Sequence, residues 1–471
     1  MEGIRSLTIQ SKIMDTTYLA SLLDLNQEKT QQFLYQYLNI TQHLLAENKT
    51  TMDYAVQIHK NQSISVYIRN GHVETIDNSH GQDLSVSVFD QHKTGTAHTT
   101  DISQQSIQRI IQHACQIAHH TQPDPFAGLV SKTALANPVV QLPFLTKQSF
   151  NIDFNTMIAW AKNCEKLACD DPAVDASEGL SFDFNISWQG YANSHGFMDV
   201  YPETTTSISL SVIGHDQADG MQSGQAMFVT RSAQQWPSQQ TIANEAVNQL
   251  KARLNPQKVV TGNYPVIVTP SVAKQFIGAL LQGISGQKQY QQATFLYQKQ
   301  GQFVCPNHLS IIEDPYLPDG LGSRPYDNEG VAIRRSFIVK NGILQRYLLS
   351  SYSARQLGLE TTGNAGGISN VLITSKNTMA QASMIQQISQ GVMIDSVMGQ
   401  GLDLNTGNYS QGASGYWIEN GVIQHPIDNF TMAGNMADLL QQIDTIGSDI
   451  CKNGAIQIGS LKLSQVHIAG E

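Results

Sequence analysis

Three Asn–Gly dipeptides, at Asn70-Gly71, Asn341-Gly342 and Asn420-Gly421, each sit between runs of strand-forming residues. A two-residue type I′ hairpin turn needs positive φ at both central positions, and Asn followed by Gly accepts that geometry readily. The dipeptides therefore predict antiparallel hairpins. In the first, Ile64, Val66 and Ile68 alternate with Ser63, Ser65 and Tyr67 before the turn. The second is flanked by FIVK at 337–340 and ILQRYLL at 343–349, and the third by YWIE at 416–419 and VIQHPI at 422–427. With few β-α-β alternations between them, the expected fold class is α+β and multi-domain, with largely antiparallel sheets and flanking helices.

At 471 residues the chain exceeds one ordinary domain. Apolar residues at three- and four-residue steps predict helices at Gln27 to Asn48, Gln104 to His120, Asn155 to Asp170, Gln239 to Leu254 and Pro270 to Gln287. Further strands are expected at His72 to Asp77, Leu84 to Phe89, Phe182 to Trp188, Gly190 to Asn193 and Thr205 to Ile213. The resulting division is an N-terminal helical extension at 1–50, an N-terminal α+β domain at 51–121, a central α+β domain at 129–237 and a mostly antiparallel β domain at 238–471.

A formal net charge of -10, with no Lys/Arg block, argues against direct nucleic-acid binding. No run approaches the ~18 apolar residues of a membrane span. The opening MEGIRSLTIQSKIMDT lacks an apolar h-region, so a cytoplasmic location is expected. Cys115, Cys164, Cys169, Cys305 and Cys451 show no C-x-x-C spacing and read as reduced thiols.

The Pro270 helix has Thr269 as N-cap and Pro270 at its first position. Val272, Phe276, Leu280 and Ile284 beside Ala273, Ile277 and Leu281 give it a wide apolar face, and its other positions are Ser, Lys, Gln and Gly. A hydrolytic zinc helix needs imidazole ligands and a carboxylate to handle the water's protons, and this helix offers neither. Elsewhere, His113, Cys115, His119 and His120 form the densest group of soft ligands, set against the simpler reading of a helix edge and its solvated end. Glu313, Asp314, Asp319, Asp327 and Glu329 read either as a cation or acid/base site or as solvated turns. Gly363, Asn364, Gly366 and Gly367 lie in a glycine-rich loop without the Lys-Ser/Thr ending of a phosphate-binding loop. Its small residues suit close approach to a peptide or another chain, so it is the expected substrate-channel or interface loop. Ser194-His195 and Ser353 with Arg355 are nucleophile-and-base pairs in name, but no G-x-S-x-G elbow supports them.

Ordered blocks run from about Asp53 to the end: SVYIRNGHVETID at 65–77, GYANSHGF at 190–197, TTTSISLSV at 204–212, DPYLPDGLGSRPYDNEGVAIRR at 314–335, SSYSARQLGLETTGNAGG at 350–367 and GYWIENGVIQHPIDNFTMAGN at 415–435. In these blocks the chain resembles the TldD/PmbA peptidase family, and more closely its PmbA (TldE) branch. The first fifty residues lie outside the resemblance. TldD members carry an H-E-x-x-x-H metal motif on the corresponding helix; here those positions read Gln282-Gly283-Ile284-Ser285-Gly286-Gln287. The resemblance thus marks Gln282, Gly283 and Gln287 as degenerate metal-motif positions and implies no catalytic or metal residue in this chain. Cys451 falls in the region of a TldD cysteine ligand but lacks histidine partners and reads as an ordinary thiol. Also implied are dimerisation, a TldD-like metallopeptidase partner that holds the zinc, and unfolded peptides, including leader peptides and antitoxins, as substrates. The alternative is a non-proteolytic homodimeric regulator such as a DNA gyrase modulator.

Overall fold

The structure is a computed structural model that describes residues 27–47, 52–142, 154–217 and 220–470. It is α+β, and its chain divides into two compact units. The first runs to Gly214 and includes Ser223–Leu250; the second comprises His215–Gln222 and the chain from Lys251 onward. No helix among the described residues is long and apolar enough to cross a membrane.

The first unit is built on a six-stranded sheet, β3-β2-β1-β4-β5-β6. Its strands are β1 (Asp53–Arg69), β2 (His72–Asp90), β3 (Lys93–Thr99), β4 (Ala176–Asn193), β5 (Met198–His215) and β6 (Met221–Thr230). Asn70 and Gly71 join β1 to β2 with φ of 51° and 71°, as the type I′ reading requires. Period two sends Val56, Ile58, Ile64, Val66 and Ile68 to a buried face. Near one end of the sheet, Val56 and Ile58 share a core with Leu34 and Leu38 of the Gln27–Glu47 helix and Ile107 and Ile111 of the Gln104–His120 helix.

Two strands are longer than alternation alone predicts. His72 to Asp77 and Leu84 to Phe89 are one strand, because β2 keeps its backbone pairing with β1 through the polar stretch 78–83. Likewise Phe182 to Trp188 and Gly190 to Asn193 are one strand. Gly190 marks close packing, not a break: a Cβ there would lie 2.6 Å from Ile58 Cγ2. Since β1 pairs with β4, segments from the expected N-terminal and central domains lie in one sheet, and the Gln239–Lys251 helix falls almost wholly within the same unit.

The second unit contains β7 (Gly262–Val268), β8 (Leu309–Asp314), β9 (Ser336–Lys340), β10 (Ile343–Leu344), β11 (Asn370–Ser375), β12 (Thr378–Met379), β13 (Gln390–Met398), β14 (Asn408–Glu419), β15 (Val422–Asn435), β16 (Ile443–Gly447), β17 (Ile456–Gln457) and β18 (Leu461–Ala469). One five-stranded sheet has the order β10-β9-β8-β11-β17. In the seven-stranded sheet, β12-β16-β18-β15-β14-β13-β7, an extra β18–β7 pairing closes β7, β13, β14, β15 and β18 into a ring. The helix Pro270–Gly283 follows β7 and buries Val272, Phe276, Ile277 and Leu280; Phe276 meets Tyr409 of β14 at 6.0 Å between ring centroids.

That helix stops before the predicted Gln287. Ser285 is extended (φ -68°, ψ 142°), and a second short helix begins at Gly286 and ends at Tyr290. The backbone pairs outward instead: Gly286 N donates to Leu348 O at 2.9 Å, and Leu348 N donates to Ile284 O at 3.1 Å. Tertiary pairing has replaced the next intrahelical bonds, which apolar periodicity cannot signal.

Glu165, on the Phe154–Cys169 helix and 2% exposed, fastens the first hairpin by accepting from Asn70 N at 2.9 Å and Gly71 N at 2.8 Å. Glu165→Ala would remove two charge-assisted hydrogen bonds at this part-buried contact, so we expect a loss of about 2 kcal/mol. Hydrogen-exchange protection of β1 and β2 is the readout; unchanged protection would refute the assignment.

Candidate functional site

The second unit brings the acidic loop and the glycine-rich loop together. Alternation along β8 turns Leu309, Ile311 and Glu313 to the buried side. Asn341 and Gly342, with φ of 48° and 80°, return the chain to Arg346. Arg346 Nη2 meets Glu313 Oε2 at 2.5 Å, with 17% and 6% of the two side chains exposed. The remaining acceptor capacity of Glu313 is filled from the far side of the glycine-rich loop. Asn364 Nδ2 donates to both Glu313 oxygens at 3.1 Å, while Ser369 N and Oγ donate to Oε1 at 2.6 and 2.9 Å. Arg346 Nη1 also donates to Asn364 Oδ1 at 2.9 Å, so one ion pair holds the loop's central residue at both ends of its amide.

Asp327 is the second anchor. It is 1% exposed and accepts only backbone amides: Glu329 N and Val331 N on Oδ1, both at 2.9 Å, and Ala365 N on Oδ2 at 3.0 Å. Burial, foremost, and the neighbouring Glu329 push its carboxyl up from the ordinary value to about 6, against the amides that favour the charged form. Glu329 caps the Ser351–Leu357 helix, accepting from Ser351 N and Oγ at 2.8 Å. Arg324 Nη2 donates to Gly367 O at 2.5 Å. Glycine at 366 lets the loop rest on Asn328, whose side-chain amide would overlap any Cβ there.

The candidate residues are thus placed differently from one another. Gly363 and Asn364 are buried in the cradle, whereas Gly366 and Gly367 are exposed. Glu313 and Asp327 are buried and Glu329 is half-buried, and each is occupied by its own donors and not grouped around a cation site. Asp314 pairs with Arg335 at 3.2 Å, and exposed Asp319 takes a positive φ of 58° in its turn. His113, His119 and His120 are exposed along their helix, and Cys115 is half-buried. Among the described residues no three His, Cys, Asp or Glu side chains gather as a metal-ligand group.

Ser194 Oγ donates to Asp53 Oδ1 at 2.8 Å, and His195 Nδ1 faces Val130 O at 2.8 Å, so the imidazole does not activate this hydroxyl. Ser353 belongs to the capping box of its helix. At the motif positions, Gln282 and Gln287 are exposed on either side of the helix break, and Gly283 is buried. A Cβ at 283 would lie 2.9 Å from Thr294 Oγ1 and 3.2 Å from Leu296 Cδ1. Lys274 Nζ lies 3.1 Å from Cys451 Sγ and 2.6 Å from Asn453 O. Sequence reasoning missed Arg346, Ser369 and Arg324; a lone Arg inside the apolar run 343–349 was the one available signal of a buried anion.

Three domain families match the chain: PmbA/TldA metallopeptidase domain 1 over residues 54–118, the PmbA/TldA metallopeptidase central domain over 147–254, and the PmbA/TldA metallopeptidase C-terminal domain over 261–470. The metalloprotease PmbA of Escherichia coli O157:H7 is 37% identical over 417 residues, covering 88% of this chain and 92% of that protein. The metalloprotease PmbA homolog of Haemophilus influenzae is 34% identical, covering 88% and 92%. The crystal structure of TldE from Thermococcus kodakarensis superposes with a TM-score of 0.79 at 20% identity, over 92% of this chain and all (100%) of that one. A Bacteroides thetaiotaomicron protein described as a candidate modulator of DNA gyrase superposes at a TM-score of 0.86 and 20% identity, over 92% and 98%.

Arg346→Met would strand the buried Glu313 carboxylate, and we expect it to destabilise the second unit by about 3–5 kcal/mol. Glu313→Gln in the same chain should return much of that loss. Denaturant unfolding of the natural chain and both variants is the check, and a loss below about 1 kcal/mol in Arg346→Met, the worth of a surface pair, would show that the ion pair does not hold the loop.

Proposed function

Because the chain belongs to the PmbA/TldD metallopeptidase family, we propose that it is the PmbA/TldE-like subunit of a two-chain peptidase, with the zinc held by a TldD-like partner. The supporting observation is the motif helix. Zinc in peptidases is held by imidazole, thiolate or carboxylate, with a carboxylate to move the water's protons. Gln282 and Gln287 offer neutral amides, Gly283 offers no side chain, and its Cβ position is closed by Thr294 and Leu296. These residues do not fit the ion, and no catalytic step is assigned to them.

On this reading the chain contributes shape. The exposed Gly366 and Gly367 present backbone to an extended peptide, and the carboxylate cradle behind them keeps that backbone in place. Unfolded peptides such as leaders and antitoxins are the substrates, the work is cytoplasmic, and neither a membrane nor nucleic acid takes part. The likeness to a candidate gyrase modulator favours a second reading, a homodimeric regulator without a role in proteolysis.

The isolated chain should bind no stoichiometric zinc and cleave no unfolded peptide, whereas the chain co-purified with a TldD-like partner should do both. A triple Gln282→His, Gly283→Glu, Gln287→His variant should still cleave no peptide, because a carboxylate at 283 would have to displace the buried Thr294 and Leu296 side chains to take its place as base. Elemental analysis and peptide cleavage decide it. Stoichiometric zinc with cleavage by the chain alone would overturn the reading, and failure to associate with any TldD-like chain would favour the regulator.

A further inference from the structure

We propose that Asp327 is a proton-operated latch on the glycine-rich loop: as a carboxylate it holds the Ala365 amide, and as a carboxylic acid it lets that amide go. The argument begins with how its two oxygens are used. Oδ1 receives two amides, from Glu329 and Val331, within the turn that Asp327 itself opens. Oδ2 receives one, from Ala365 on the opposite loop. An incoming proton goes to the oxygen with fewer donors, since it displaces one contact there and two at the other. The hydroxyl formed at Oδ2 then sets a donor against the Ala365 amide, and its oxygen is a weaker acceptor than a carboxylate.

The two sides of the latch respond differently. The 327–331 turn keeps the Oδ1 bonds and its own backbone bonds, Asp327 N to Val331 O at 3.1 Å and Gly330 N to Asp327 O at 2.9 Å. Asn364 stays fixed through Glu313 and Arg346. Beyond it, the Ala365–Gly367 stretch keeps the bond from Asn328 N to Ala365 O at 3.1 Å, the bonds of Gly367 with Asn364 (Gly367 N to Asn364 O at 3.0 Å, Asn364 Nδ2 to Gly367 O at 3.3 Å) and the grip of Arg324 on Gly367 O, so it is the Ala365 amide that protonation sets free. Gly366 and Gly367 carry no side chains that could pack in compensation, and both are exposed. Asn364 is therefore the hinge.

Several charged groups surround the latch. Glu329, on the same turn, disfavours the carboxylate. The Glu313–Arg346 pair stands beyond Asn364 on the loop side, and Arg324 acts on Gly367. No cation is among the causes that set the titration of Asp327, which is pushed up from 3.8 to about 6, so the proton arrives under mildly acidic conditions.

The test is hydrogen exchange of the full chain, followed in peptides spanning 361–369 and corrected for intrinsic rates, between pH 7.5 and pH 5. Protection of the Ala365 amide should fall roughly tenfold on acidification, the worth of one charge-assisted hydrogen bond, with a midpoint near 6. Asp327→Asn should be weakly protected at every pH. Glu329→Gln keeps the helix cap but removes the neighbouring charge, so its midpoint should move to lower pH. That variant decides the matter if Asp327→Asn does not fold. Flat protection in the natural chain, or an unmoved midpoint in Glu329→Gln, would overturn the latch. Its meaning for peptide handling rests on the proposed function, but the exchange measurement does not, so either can fail without the other.

Discussion

A one-residue slip in strand pairing moves an entire apolar row to the opposite face of a sheet, and in both units Asn–Gly turns stand against that slip. In the first unit Asn70-Gly71 starts the pairing at Arg69↔His72 and carries it to Asp53↔Phe89, with one shift at Tyr67/Ile68. In the second, Asn341-Gly342 sets Ile343 opposite Lys340 and Leu344 opposite Val339, and Gly342 N donates to Leu309 O of β8 at 2.8 Å. Gly342 is needed twice: its φ is positive, and a Cβ would overlap the backbone of Cys305. The turn then returns the chain to Arg346, which meets Glu313 where alternation along β8 turns that carboxylate inward. The turn fixes the ion pair, and the ion pair fixes the glycine-rich loop.

The two buried carboxylates of the site are held by different physics. Glu313 has a guanidinium and neutral donors, a combination that offsets desolvation with a full opposite charge. Asp327 is held by backbone amides with a second carboxylate nearby, and burial with that neighbour pushes its carboxyl up to about 6. The loop between them is consequently fixed at Asn364 and conditional at Ala365. On the proposed reading, a surface that takes up extended peptides benefits from such unequal support, since backbone recognition needs a defined edge and exchange of substrates needs that edge to yield.

The sequence showed most clearly what is decided locally. The Gln104–His120 helix agrees at both ends, because an N-cap serine at Ser103 and an amphipathic pattern act within a few residues of each other. The Asn–Gly turns agree for the same reason. Long-range pairing was not legible: nothing in 78–83 announces that β2 continues, and nothing after Gly283 announces a partner at Leu348. The acidic residues were hardest. Both sequence readings, cation site and solvated turn, treated them as meeting solvent or ions, whereas their partners are amides and side chains as far away in sequence as Arg346, Ala365 and Ser369. Alternation could have assigned Glu313 to the buried side of β8, but not its partners.

The empty motif is more than three replaced side chains. Positions five apart on a continuous α-helix are about 140° apart around its axis, so a metal motif whose outer ligands have that spacing requires a departure from regular helix between them. This chain has one, at Ile284 and Ser285. The backbone form suited to such spacing is present, then, while the base position is packed: Thr294 and Leu296 lie at the Cβ position of Gly283, and Ser353 and Leu349 at that of the intervening Gly286, whereas Gln282 and Gln287 are exposed. This packing gives the segment a structural task, seating the Gly286–Tyr290 helix against Ser353, and that task constrains positions 283 and 286 independently of any metal.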